Sequence, residues 1–586
     1  MWSRESWYPG EGMSRATGLV GGALFWAAIA LIGCGGKTSV QGPDPDPAPG
    51  SGVAALDQSF SDYKEVELTG TIFEPAALGR PGMIRVTSKR PTTLVRQRNK
   101  ARRRNASAAD VHLLVTMLWS AADKLACCVV CDDGKVPCGR RCLDSEPCEA
   151  KGETCACTAA EGKTRGDGAR VNRQEALDAL RSLYGRTAEG KSDAVTLRMF
   201  ASAALWAEDW TAAEVAYKEL LARFPSHSDR ASFEVWLAVL HLRRGRFKDA
   251  QKLVASWKLD EIDPLAAYTL AWVRFIQREQ KPARAAILRA ANTWTGAGRR
   301  GVARDLLLLL ARTDTDEIEA MAAVDGLWEG QPQKRLRLMT RLADEYKSAG
   351  RYARAAQVMA AIAAQTGDHA PPPQDYVEYR LRQAEFQFLL AAPGAAADLA
   401  IDAHRALGDC AKCPAELAKK VEDRLSQFAV FFHDTYHDCL DDDYYAAAEK
   451  LYTHLMRIPG GDADARRGYL TNLKDTRDRA NPANGKHNEE LLYKLAIARS
   501  EAVRACYESV LLGDRALDGS LVLRIEIDQT GAVQGAATEP AEGLEGMSSV
   551  AGCVVQEARK WTFPSRTVPG TTTMSIPYLL RRAGAR

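Results

Sequence analysis

The chain has 586 residues, 46% of them hydrophobic and 26% charged, enough to bury several cores and to suit three or four domains. Its formal net charge is only +3, so no nucleic acid or other bulk polyelectrolyte partner is implied. Fourteen cysteines are out of place in a reducing cytoplasm and point to an oxidising compartment.

Residues 1–34 read as an export signal. Residues 1–12 contain acidic and aromatic side chains foreign to such a signal, which leaves both Met1 and Met13 as candidate starts. From Met13, Arg15 supplies the cationic region, residues 19–32 the apolar run, and small residues lead to Cys34. The run is shorter than the roughly 20 apolar residues that cross a bilayer and contains Gly21 and Gly22, so a spanning helix is the weaker reading. Leu31-Ile32-Gly33-Cys34 resembles the bacterial lipobox. That resemblance implies a covalent lipid on Cys34 and, with Gly35 following, the outer membrane facing the periplasm; no cofactor is expected. At about 0.8 kcal/mol per buried methylene, several acyl chains make such an anchor permanent. Residues 35–52, with Pro43, Pro45, Pro47 and Pro49, form a disordered extended spacer.

Residues 53–170 read as a small β and helix segment followed by a cysteine-rich, disulfide-stapled region. Alternation at 66–73 and 83–87, broken by Pro75, Gly79, Pro81 and Gly82, predicts a small β element. Arg96, Arg98, Lys100, Arg102, Arg103 and Arg104 form a basic cluster. Behind an export signal its uses are anionic head groups, acidic partners or plain solvation, the last being preferred. Val111, Leu114, Val115, Leu118 and Leu125 predict an amphipathic helix over 108–128. Cys127, Cys128, Cys131, Cys138, Cys142, Cys148, Cys155 and Cys157 follow. Cys128, Cys131, Cys138 and Cys142 could hold zinc. A disulfide-stapled mini-domain is preferred, because the segment is poor in apolar residues and sits in an oxidising compartment; the spacing does not fix the pairing. Neither Cys131 nor Cys413 is followed by His, which excludes covalent haem.

Residues 171–498 are helical and repetitive. Trp210-x-x-Ala213-x-x-x-Tyr217-x-x-Leu220 ends at Pro225, and the frame returns as Phe247-x-x-Ala250-x-x-x-Val254, as Tyr352-x-x-Ala355-x-x-x-Met359 and as Tyr445-x-x-Ala448-x-x-x-Tyr452. Ala213, Ala250, Ala285, Ala320 and Ala355 recur after 37, 35, 35 and 35 residues. Small residues such as Ala201 and Ala213 let paired helices approach, and Phe200, Tyr217, Leu342 and Tyr346 fill the space between pairs. The array resembles tetratricopeptide-repeat proteins, whose period is about 34 residues. That resemblance implies a superhelix with a groove for peptides or helices of other proteins. By repeat register the groove carries Arg198, Arg274, Arg337, Asp344 and Lys347, leans basic and suits an acidic segment.

Two places in the array could carry chemistry. His433 and His437 stand four apart on one helix face, near Asp434, Asp438, Cys439 and Asp441, a spacing compatible with metal. The His-Glu-x-x-His signature is missing and no third ligand is placed, so lining or core histidines are preferred and no metal is expected. Cys410-x-x-Cys413-Pro414 opens a helix, where thiols are acidified, but the strands that surround thioredoxin-type motifs are missing. A local disulfide between Cys410 and Cys413 is the preferred use.

Residues 499–586 change character. A helix over 501–511 precedes an alternating strand at 521–527, a turn at 528–531, a return strand at 532–538, a helix over 550–561 and a last strand at 571–580. Ala505-Cys506-Tyr507, Gly519-x-x-x-Leu523-x-Ile525-x-Ile527-x-x-x-Gly531-x-Val533, Cys553-Val554 and Trp561-Thr562-Phe563-Pro564 resemble the TonB-like C-terminal domain of myxobacterial gliding-motility proteins of the AgmX/PglI type. The resemblance implies a small α+β sandwich, a Cys506 to Cys553 bridge, exposed sheet edges and protein binding. An open edge offers unpaired backbone groups to a partner strand; an inert cap on the helical array is the alternative.

The fold expected is therefore mainly α, a tetratricopeptide-like superhelix between a cysteine-rich N-terminal module and a C-terminal α+β domain. The function expected is a non-enzymatic, lipid-anchored envelope scaffold of the gliding-motility type, holding envelope proteins by two surfaces on one tethered chain. An assembly lipoprotein for outer-membrane protein or polysaccharide export is the neighbouring alternative. A thiol- or metal-dependent envelope enzyme is remote, since no nucleophile and base pair, phosphate loop or cofactor fingerprint is present.

Overall fold

A helix that buries one stripe against a neighbour is favoured where small and branched apolar residues recur every three to four positions, and most of this chain does that. The computed structural model describes residues 65–583 except 79, 82, 85, 87–91, 104, 126–134, 137–156, 187–191, 296–298, 314, 328–331, 368–369, 459–462, 514–516 and 540–544. Cys34, the spacer and seven of the eight clustered cysteines lie outside the described residues, and of Cys157 only the backbone is described. No helix among the described residues is long and apolar enough to cross a membrane.

The described chain forms two compact units. The first comprises Ala77–Val273 and Trp294–Arg300. It holds α1 (Leu94–Ala101), α2 (Ala108–Leu125), α3 (Ala159–Arg186), α4 (Ala194–Trp206), α5 (Trp210–Arg223), α6 (Arg230–Arg243), α7 (Phe247–Val254) and most of α8 (Pro264–Ile276), with a two-residue hairpin of β2 (Lys135–Val136) and β3 (Cys157–Thr158). Consecutive helices pack on one another from α1 to α7. Val115, Leu118, Leu180, Leu197, Phe200, Ala213 and Tyr217 are buried in one core. Tyr184 stacks on Phe200 at 5.1 Å, and Trp119 meets Trp206 edge-on at 5.6 Å with the Arg173 guanidinium 4.1 Å above the latter. Within the basic cluster, Arg98 pairs with Glu175 at 2.6 Å, and Arg102 also reaches it.

The second unit comprises residues up to Ala76, Arg274–Thr293 and Gly301 onward. Its helices are α9 (Gln280–Thr293), α10 (Arg299–Arg312), α11 (Glu317–Leu327), α12 (Pro332–Ser348), α13 (Tyr352–Ala363), α14 (Pro373–Leu389), α15 (Pro393–Gly408), α16 (Ala415–Cys439), α17 (Asp442–Leu455), α18 (Ala463–Asp478), α19 (Glu489–Ala498), α20 (Ser500–Leu511) and α21 (Glu545–Ala558). Consecutive pairs from α11 to α18 are packed together. Phe388, Phe428, Phe431 and Phe432 form an aromatic cluster with centroids 4.8–6.3 Å apart.

One backbone turn joins many of the helix pairs. Glu208, Gly245, Arg278, Gly350 and Ala391 each adopt a left-handed φ of 56–70°. In each case the next residue, at 209, 246, 279, 351 and 392, donates its N–H to the carbonyl five positions back at 2.8–3.0 Å. This Schellman closure satisfies a carbonyl that the first helix leaves unpaired. The second helix starts one residue later, at Trp210, Phe247, Gln280, Tyr352 or Pro393.

Counted from that start, the fourth residue is Ala213, Ala250, Ala283, Ala355 or Ala396, each fully buried. The sequence alignment is thereby corrected at one position, because Ala285 is exposed and the repeat alanine is Ala283. The run Ala283-Arg284-Ala285-Ala286 offers several alanines, and an even spacing selects the wrong one, whereas the turn fixes the helix phase. Ala320 and Ala448 are buried as expected.

The second unit ends in a four-stranded mixed sheet of order β1-β6-β4-β5, with β1 at Val66–Gly70, β4 at Gly519–Ile527, β5 at Val533–Glu539 and β6 at Thr572–Arg582. Leu521, Leu523, Ile525 and Ile527 of β4 and Met574, Ile576, Tyr578 and Leu580 of β6 are buried, alternating with residues outside the core. Helices α20 and α21 pack together and on the sheet. A Cys506–Cys553 disulfide joins them, with Cα atoms 5.7 Å apart. The segment 66–73 is thus no part of a separate β element; its strand belongs to a sheet whose other members lie some 450 residues or more further along. The described residues of 83–87 form no strand.

Candidate functional site

The C-terminal sheet is where the chain exposes, and also conceals, backbone hydrogen-bonding capacity. β4 is central, antiparallel to β5 on one side and to β6 on the other. Beyond β6 lies β1, parallel, in the register Val66 with Tyr578 through Gly70 with Arg582. The outer edge of β6 is therefore occupied over Tyr578–Arg582 by the chain itself. At the other side, β5 is the outer strand, with no further strand beside it among the described residues. Its Gly535, Ala536 and Ala537 are small, and no proline or lysine guards it.

Residues 70–76 continue β1 as a strap. At Gly70 a Cβ would stand 2.5 Å from the ring of Tyr507 and 2.9 Å from Leu511, so β1 ends in direct contact with α20. Thr71 donates from its N–H (3.1 Å) and its hydroxyl (2.7 Å) to Oε1 of Glu508. Arg312 of α10 donates to the other carboxylate oxygen at 2.9 Å and lies 4.1 Å from the ring centroid of Phe73. Arg304 donates to the Glu74 carbonyl, and the Ala76 N–H donates to Asp305 at 2.8 Å. Glu508 is 2% exposed and the Arg312 side chain 8%, so each is largely compensated by the other, with Arg504 3.8 Å from the same carboxylate.

The Trp-x-Phe-Pro segment is a structural joint. The carbonyl of Phe563 would lie 1.9 Å from a Cβ on Gly531, which has φ +84°, and the Phe563 N–H donates to the Gly531 carbonyl at 2.8 Å. Arg499, between α19 and α20, donates to the carbonyls of Leu389 and Thr562 and stacks on Phe563 at 4.7 Å. Burial lowers the Arg499 pKa to about 10. Ser565 donates twice to Asp441, Tyr352 donates to the Ala498 carbonyl, and Gly350 lies against Ala502, with no room for a side chain. The sheet and helices α12 to α17 of this unit are thereby held as one packed body.

The groove residues expected from repeat register are dispersed and largely compensated. In the first unit Arg198 pairs with Asp229. In the second, Arg274 pairs with Glu279 at 2.7 Å and Asp344 with Arg382. Arg337 is exposed and draws down an Asp375 carboxyl that burial raises. Lys347 stands near Glu501 of α20, whose carboxyl burial pushes up while Arg504 and Lys347 pull it back. Arg198 and Arg274 have acidic partners in Asp229, 31 residues away, and Glu279, five residues away, neither of which repeat register by itself places.

His433 is buried with its ring 3.4 Å from the Tyr452 hydroxyl, and burial, then the neighbouring His437, lowers its pKa. His437 is exposed beside Asp438. It lines an open polar cleft of about 1100 Å³ with Asp464, Arg467, Asn472 and Lys486. No group of three or more His, Cys, Asp or Glu among the described residues is placed to hold a metal. Sequence reasoning missed a second histidine pair, in which His404 of α15 and His454 of α17 stand 3.2 Å apart, ring nitrogen to ring nitrogen. Burial, then His404, lowers the His454 pKa to about 4. Fifty residues separate the two, so no local spacing signals them.

Cys410 and Cys413 form a disulfide in the turn before α16. Cys439 is free and buried, its thiol pushed up to about 12 by burial and then by Asp438 and Asp441. No protein-family model and no curated protein matches this chain.

Proposed function

We propose that the chain is a lipid-anchored envelope scaffold in which a tetratricopeptide-like array and a TonB-like C-terminal domain hold partner proteins within one complex, of the gliding-motility type. The observation that carries this reading is the packed body of the second unit. A sheet with an unpaired outer strand, β5, is fixed to a series of helix pairs by Arg499, Asp441 and the strap at residues 70–76. A rigid mount keeps the edge groups of β5 oriented for an incoming strand, which lowers the ordering cost of binding. An anchor at Cys34 would confine both surfaces to the membrane and raise the effective concentration of whatever they hold.

The test places photoreactive residues at Gln534 and Ala537 in the intact protein and crosslinks in living cells. An envelope protein captured at both positions, together with an acylated Cys34 in the mature chain by mass spectrometry, is the expected result. Capture of cytoplasmic proteins only, or an unacylated Cys34 within an intact leader, overturns the reading.

A further inference from the structure

The structure assigns to the outer side of β6, over Tyr578–Arg582, the role of an acceptor site for an extended strand. We propose that the chain's own residues 66–71 are its resident ligand, exchangeable for the same segment of a second copy. This goes beyond the scaffold reading and does not depend on the lipid anchor.

Three observations carry it. First, the acceptor stands without its ligand. The buried rows of β4 and β6, the two helices α20 and α21 and the Cys506–Cys553 bridge are all supplied by residues 500–582. From β1, by contrast, Val66 and Leu68 are only half-buried, and Glu67 and Thr69 are exposed. Release therefore breaks a five-residue parallel ladder, the contact of the buried Gly70 with Tyr507 and the two Thr71 hydrogen bonds to Glu508, and leaves the sheet's own core in place.

Second, the site selects its ligand. The position over Tyr507 admits glycine alone, because that ring is fully buried and its hydroxyl is held by the Leu517 carbonyl. The next position must present both an N–H and a hydroxyl to Glu508. The ligand chemistry is thus an alternating apolar strand ending in Gly-Thr, and Val66-Glu67-Leu68-Thr69-Gly70-Thr71 has it. Third, the pairing joins residues more than 500 positions apart. No short turn dictates which copy supplies the strand, which is the condition for exchange between identical chains.

The probe is a fluorescent synthetic peptide of residues 65–76, titrated by anisotropy against the full chain and against full-length Gly70→Ala and Thr71→Val variants. In the unaltered chain the resident strand has an effective concentration on the order of mM, so micromolar peptide does not enter. The Gly70→Ala chain, with its own strand expelled, is expected to bind the peptide at least about tenfold more tightly than the unaltered chain does. The peptide carrying Gly70→Ala is expected to bind neither.

Hydrogen exchange keeps the test independent of misfolding. In Gly70→Ala, protection is expected to fall at residues 578–582, to persist in the β4 and β5 ladder, and to return with peptide. Thr71→Val is expected to shift the same amides partway. Loss of protection throughout β4 and β5 overturns the proposal, since the strand is then integral to the sheet. Equal peptide binding by the unaltered and Gly70→Ala chains, binding by neither, or equal binding of the Gly70→Ala peptide overturns it as well.

Discussion

Replacing Glu508 by alanine tests whether the strap is held by charge compensation or by packing. The change removes the acceptor for Thr71 N–H and Oγ and for Arg312, leaving a guanidinium whose side chain is 8% exposed without its carboxylate. Breaking one side of a buried pair costs about 3–5 kcal/mol, mostly the desolvation of the survivor. The stacking of Arg312 on Phe73 at 4.1 Å remains and offsets only a small part of that cost. For a unit of this size the expected outcome is a fall on the order of 10 °C in the thermal transition of the second unit. That transition is followed separately from the rest of the chain, because two units preclude a single two-state fit. The decisive comparison is with Arg312→Met/Glu508→Leu, which removes both charges at similar volume. It is expected to be more stable than Glu508→Ala by about 1 kcal/mol or more. A Glu508→Ala protein within about 1 kcal/mol of the unaltered chain, or a double variant less stable than the sum of the singles, refutes the reasoning.

Four further outcomes are expected. Gly531→Ala, at φ +84° against the Phe563 carbonyl, should destabilise the C-terminal sheet by more than about 2 kcal/mol in chemical unfolding. Gly394→Ala, with open space at the start of α15, should be neutral or gain up to about 1 kcal/mol. Removing the Cys506–Cys553 bridge, which spans 47 residues, should cost about 4 kcal/mol, whereas removing the Cys410–Cys413 bridge, which spans 3, should cost about 2 kcal/mol at most, measured by unfolding of the serine pairs. The His404 and His454 pair gives stability a definite pH slope. Both pKa values are lowered in the fold, so the unfolded chain binds more protons between about pH 6.5 and 4, and stability is full above pH 6.5 and declines as pH falls toward 4. After solvent screening the decline from His454 is about 1–2 kcal/mol, and His454→Gln should flatten that part of the profile in stability measured against pH.

How much could be read in advance follows from where each element's partners lie. A helix closes its backbone bonds within four residues and shows its buried face as a short period. The frame from Trp210 to Tyr452 was therefore legible, and with it the C-terminal order of helix, strand, strand, helix, strand. Its finer phase was not, as Ala285 and Ala283 illustrate, because the turn residues that fix it, Glu208, Gly245, Arg278, Gly350 and Ala391, share a backbone conformation and no side chain. The copy at Pro393-Gly394-Ala395-Ala396 was missed for the same reason, since proline stands where the motif has an aromatic residue.

The sequence by itself determined the helical body, the pairing of small with aromatic residues along it, and the alternation that makes β4 and β6 a half-buried sheet. Only the tertiary structure decided that Val66–Gly70 closes the edge of β6, that Glu508 accepts from Arg312 and Thr71, and that Arg198 and Arg274 of the expected groove have acidic partners. A strand's hydrogen-bond partners and a buried charge's counter-ion can come from any distance along the chain. Local spacing records which residues want to be buried, while the closed fold alone records against what.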